Sequence, residues 1–89
     1  MNTTFLLMAQ YGGVAVIPLE RLCTDYFSHL TPTKLRSKIV AGVIDLPLVR
    51  IEDSQKAAQG VHLTDLARYL DVQRERAVIE NDKLHNRAR

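Results

Sequence analysis

Eighty-nine residues suffice for one domain, residues 1–89, with a single modest core that is marginal without oligomerisation. A hydrophobic content of 46% with 25% charged residues is ordinary for a globular chain and argues against disorder, while a net charge of only +2 does not by itself announce nucleic acid. One cysteine, Cys23, excludes an internal disulfide and a cysteine-rich zinc site and fits a reducing cytosol.

Taken in chain order, Thr3 or Thr4 is placed to cap a first helix running to about Gln10, with Phe5, Leu6, Met8 and Ala9 offering apolar surface. This N-terminus has a short apolar core but no basic leader and no small-residue cleavage site. No apolar run approaches the roughly 18 residues that span a bilayer. The expected location is the cytoplasm, at the nucleoid, with no membrane partner. Gly12-Gly13 ends the helix. Val14 to Ile17 is short, apolar and β-branched, and predicts a strand.

Pro18 suits the first position of a helix reaching about Phe27, because its missing N–H is unpaired there anyway. Leu19, Leu22, Cys23 and Tyr26 fall on one stripe at helical spacing. Ser28 to Leu30 is a turn. Thr31-Pro32 combines a capping hydroxyl with proline at the first helical position and opens a helix over about 32–41, ended by Gly42. Pro47 makes Leu48 to Ile51 an edge strand. The polar loop 52–60 and the returning Val61-His62-Leu63 complete a hairpin, a candidate wing. Thr64 followed by Asp65 caps a last helix over about 65–84, with Leu66, Leu70, Ala77 and Leu84 near one stripe and a frayed tail to residue 89.

These elements predict a mainly α fold with a small β-hairpin: a winged helix-turn-helix with an N-terminal helix and a long C-terminal helix. In the helix 32–41, Leu35 and Ile39 share the core-facing side. Thr33, Lys34, Arg36, Ser37 and Val40 point away, with Lys38 on the flank. Arg and Lys reach guanine or phosphate, Ser and Thr reach either, and a helix N-terminus favours a phosphate. Residues 31–44 hold Lys34, Arg36 and Lys38 against no carboxylate. In helix-turn-helix geometry this second helix enters the major groove. Arg50 on the wing and Ser54, Gln55 and Lys56 at its tip add candidate DNA contacts. The plainer alternative is that three basic residues form a solvated helix face.

The words FLLMAQY (Phe5 to Tyr11), AVIPLE (Ala15 to Glu20), DYFSHLTPTKL (Asp25 to Leu35) and LPLVRIEDSQKAAQGVHLTDLARYLD (Leu46 to Asp71) resemble the pyocin activator protein family, PrtN-type, of bacterial and prophage regulators. The central part is also similar, more weakly, to the winged helices of excisionases and MerR-type regulators. The first resemblance implies a sequence-specific transcriptional activator of pyocin, phage-tail-like bacteriocin or prophage genes. It would bind promoter-upstream double-stranded DNA, with RNA polymerase as a candidate partner. The tail after Asp71 is less characteristic of the family. Two alternatives remain open: an excisionase-like architectural protein that bends DNA, and an adaptor that binds a phage protein.

Nothing else in the chain carries chemistry. Cys23 on an apolar stripe reads as a buried hydrophobe. His29, His62 and His85 lack ligand spacing. His29 is either a phosphate contact or an ordinary turn residue, and His62 either touches the DNA backbone or faces solvent. No phosphate-binding glycine loop is present and the carboxylates are dispersed. The chain is read as no enzyme, and no cofactor or metal is implied. Leu66, Ala67, Tyr69, Leu70 and Val72 give the first half of the last helix more apolar surface than one face needs; packing on its own domain takes part of it, and a partner helix in a homodimer suits the rest. Arg74, Arg76, Lys83, Arg87 and Arg89 are interleaved with Glu75, Glu80 and Asp82, which favours a solvated surface over a DNA arm.

Overall fold

In the computed structural model, which describes residues 2–54 and 57–87, the chain is mainly helical with a small antiparallel sheet. Helix α1 (Thr3–Gln10) is capped by Asn2, whose Oδ1 accepts from the Thr4 amide at 2.7 Å. The cap therefore lies one or two places before the threonines expected to supply it. A carboxamide is as good an acceptor for a free first-turn N–H as a hydroxyl. Strand β1 (Val16–Pro18) leads straight into α2 (Leu19–Asp25). Pro18 is the N-cap rather than the first helical residue, with ψ 147° still extended. Helix α2 stops two residues short of Phe27, which instead turns its ring into the core.

Thr31 caps α3 (Pro32–Val40) as its sequence predicts, its hydroxyl accepting from the Lys34 amide at 3.2 Å. Gly42 follows at φ 78°. That left-handed conformation satisfies the end of a helix and is costly for any residue with a Cβ.

The expected hairpin forms, with β2 (Val49–Arg50) as an edge strand, but it is only part of the sheet. Strand β3 (Gln59–His62) starts earlier than expected and lies in the centre, with β1 antiparallel on its other side. Gly60 pairs with Pro18 on one side and Val49 on the other. A Cβ on Gly60 would collide with the Ile17 carbonyl oxygen, so only glycine lets the three strands close up here.

Helix α4 (Leu63–Leu84) begins without a break after β3. Its N-cap is His62, not Thr64: the imidazole Nδ1 accepts from the Thr64 amide at 3.1 Å. His62 is exposed, in keeping with the solvent-facing reading of its side chain, and the cap occupies its Nδ1.

One core joins these pieces. It takes Leu7 and Tyr11 from the first helix and its end, Ile17 and Val61 from the sheet, Leu19, Leu22 and Cys23 from α2, Leu35 and Ile39 from α3, and Leu63, Leu66 and Ala67 from α4. Ile17, Leu22, Leu35, Val61 and Leu66 are fully buried. Each contributes about 1.5–3 kcal/mol of apolar burial. Beyond Leu70 the expected stripe on α4 meets nothing: Ala77 and Leu84 are exposed. Thr3 Oγ1 donates to Asp71 Oδ1 at 2.5 Å and ties α1 to α4. Arg68 donates to the Asp45 carboxylate at 3.1 Å and to its carbonyl at 3.0 Å, holding the segment after α3 against the same helix. No helix among the described residues is long and apolar enough to cross a membrane.

Candidate nucleic-acid interface

Two leucine-type anchors orient α3. With Leu35 fully buried and Ile39 nearly so, the rest of the helix faces outward. Thr33, Lys34, Arg36, Ser37 and Lys38 are all exposed, and Val40 is 61% exposed. At about 100° per residue, Ser37 and Thr33 point most directly away from the anchors, with Val40 and Lys34 next, one to either side. Arg36 lies on one flank, Lys38 on the other, and Lys34 between Lys38 and the outer face. The outermost strip is therefore small and uncharged, with cations along both borders.

The hairpin sits on the Arg36 side. Arg36 Nε donates to Gln59 Oε1 at 2.9 Å, a link between α3 and β3 across 23 positions of sequence. Arg50 and Gln59 are partners in the β2–β3 register. Directly opposed residues of this kind project to one face of a sheet, with Cβ atoms about 4.5–5.5 Å apart. Arg36, Arg50, Asp53, Ser54 and Gln59 together line one open cleft. The structure thus brings together three of the residues expected to contact DNA: Arg36, Arg50 and Ser54. Thr33, Lys34, Ser37 and Lys38 share the adjoining helix but not the cleft. Gln55 and Lys56 lie outside the described residues.

Sequence reasoning missed Gln59 and Asp53. Gln59 falls in what reads as a polar loop, and no residue-type signal marks it. Only the strand register, with Gly60 opposite Val49, places it beside Arg50. Asp53 is the single carboxylate in the cleft, and it offsets part of the positive charge there.

The remaining candidates take structural places. Cys23 is buried and free, and burial pushes its thiol above the ordinary value, away from nucleophilic use. His29 is exposed in the turn with its ring 6.4 Å from that of Phe27, so its placement is compatible with either of its two readings. Arg87 pairs with Asp82 at 3.5 Å and folds the chain end back onto α4. Arg89 lies outside the described residues. Among the described residues no group of three or more His, Cys, Asp or Glu side chains is arranged to hold a metal.

These features define a small helical protein that presents a cation-bordered helix beside a three-stranded sheet. Over residues 3–77 the chain matches the family model described as pyocin activator protein PrtN, and it belongs to that family. The match takes in α1 to β3 and α4 as far as Ala77, farther than the quoted words alone reach. The family is one of activators, a regulatory role rather than an enzymatic one. No curated protein and no solved structure matches the chain at a significant level.

Proposed function

We propose that the chain is a single-domain winged helix-turn-helix activator that binds double-stranded DNA upstream of pyocin or related prophage promoters, in the cytoplasm at the nucleoid. In this reading α2 and α3 are the helix-turn-helix, α3 enters the major groove, and the β2–β3 hairpin is the wing. One observation carries it. Buried Leu35 and Ile39 fix α3 so that Thr33, Lys34, Arg36, Ser37 and Lys38 are all exposed, and the Arg36–Gln59 bond sets the hairpin beside them. Thr33 and Ser37 suit base edges, while Lys34, Lys38 and Arg50 suit flanking phosphates. Ser54 belongs to the wing, and Gln55 and Lys56 are further candidate DNA contacts from the sequence. Membership of an activator family supports DNA and the transcription machinery, RNA polymerase included, as partners. A homodimer fits the exposed Val72 and Ile79 on the outer half of α4.

The test is a footprint of the purified protein on DNA flanking its own gene cluster. A protected segment is expected, with two related half-sites if the protein binds as a dimer. Absence of protection on every fragment at low salt, where ionic binding is strongest, contradicts the reading.

A second reading, an adaptor for another protein, draws on α1. Phe5, Leu6 and Met8 are 61%, 50% and 49% exposed there. It predicts no mobility shift with any duplex at low salt.

A further inference from the structure

We infer that the cleft between α3 and the hairpin is a clamp for one backbone phosphate, and that Arg36 grips that phosphate rather than reading a guanine. The inference rests on the DNA-binding reading and changes the role of its central arginine.

The geometry of the guanidinium is the first reason. Arg36 spends its Nε–H on Gln59 Oε1 at 2.9 Å. That leaves the two terminal amino groups as a fork and fixes the plane in which the fork lies. The second reason is position. Arg36 lies on the border of α3 that faces the sheet, whereas Thr33 and Ser37 hold the strip that would meet base edges. A side chain tethered to β3 is turned away from that strip. The third reason is the company it keeps. Arg50 stands opposite Gln59 in the register, so its cation projects on the same face. Two guanidinium groups, one from a strand and one from a helix, converging on one open cleft, match an oxygen-rich anion with several acceptors. A phosphate diester offers that, and its pairing with arginine is bidentate and charge-assisted. Asp53 at the same cleft opposes an anion, and it limits the strength of the clamp.

Gln59 is a positioning residue in this scheme. It touches the phosphate's arginine, and its effect should vanish when that arginine is gone.

Binding is measured by fluorescence anisotropy on two duplexes, one carrying the footprinted site and one of scrambled sequence, over a range of salt. Arg36→Ala should weaken both duplexes by the same factor, about tenfold, and make the log–log salt slope shallower by about 0.9, the value for one lost phosphate contact. Asp53→Asn should tighten both duplexes. Gln59→Leu should weaken both about threefold in the native background and have no further effect in the Arg36→Ala background. Loss of affinity for the specific duplex alone, with an unchanged salt slope, would overturn the clamp while leaving DNA binding intact. Failure of the unmodified protein to bind either duplex at low salt would overturn the function and the clamp together.

Discussion

The two halves of α4 share one helix and have different fates. In the inner half, Leu63, Leu66 and Ala67 are buried, and Tyr69 and Leu70 pack against the core, where the Tyr69 ring lies 6.0 Å from that of Phe27. In the outer half, from Asp71 to Leu84, only Val78 and Asp82 are partly covered, and Leu84 is 74% exposed. The helix continues because adding a residue to an existing helix is far easier than starting one. It does not continue because something packs on it. An apolar repeat in a sequence marks a face, but whether that face meets a surface depends on where the rest of the domain ends. The inner half belongs to the scaffold that orients α3, and the outer half is a projection of about 20 Å at 1.5 Å per residue.

The contrast is open to direct attack. The largest effect is expected from Leu66→Ala, which empties a fully buried site in the inner half. It should cost about 2–5 kcal/mol in denaturant unfolding, enough to unfold much of the population of so small a domain. A loss below 1 kcal/mol would mean that the inner half is not a core element.

Tyr11 gives an intermediate effect, and one with a pH signature. Its hydroxyl donates to Asp25 Oδ2 at 2.6 Å, beneath the Arg21 guanidinium at 4.6 Å from the ring. Burial first, and then the bond to Asp25, push the phenol well above its ordinary value. The fold therefore favours the neutral form. Its contribution is complete below about pH 10, where the unfolded phenol titrates, and is lost as pH rises further. Tyr11→Phe should cost about 1 kcal/mol at neutral pH and flatten the alkaline side of the stability profile. An unchanged alkaline slope in thermal melts would refute the assignment.

At the small end, Ile79→Ala on the outer half should change monomer stability by less than about 0.5 kcal/mol. Native-state hydrogen exchange should show the same division, with outer-half amides exchanging at least about tenfold faster than those near Leu66. Equal protection along the whole helix would mean that a partner covers the outer half. Sedimentation of the same sample would then show a species larger than one chain.

Much of the fold was legible because local chemistry specified it. Thr31-Pro32 and Gly42 bracket α3, and Leu35 and Ile39 point inward as their spacing requires. The end of α4 at Leu84 also follows from the pattern. What was hidden is what depends on pairing. Three residues of β1 hold no information about their partner, so a three-stranded sheet read as a hairpin. His62 was hidden as a cap because hydroxyl and carboxylate neighbours at 64 and 65 offered the more usual signal. The exposed cations of α3 could be read from a helical wheel. The bond from Arg36 to Gln59 could not, since it requires the strand register and the angle between helix and sheet.

The lone thiol of Cys23 turns these packing relations into a clock. It is the single cysteine in the chain and lies buried on α2, the helix beneath α3. A thiol reagent reaches it only when the core opens, so the labelling rate reads how often the packing of α2 and α3 comes apart, with no engineered probe. Were DNA to hold α2 and α3 together, bound protein would label more slowly than free protein by the factor that binding adds to the stability of the closed form. One reaction, followed at natural abundance, would report the opening of the domain and its suppression by a ligand.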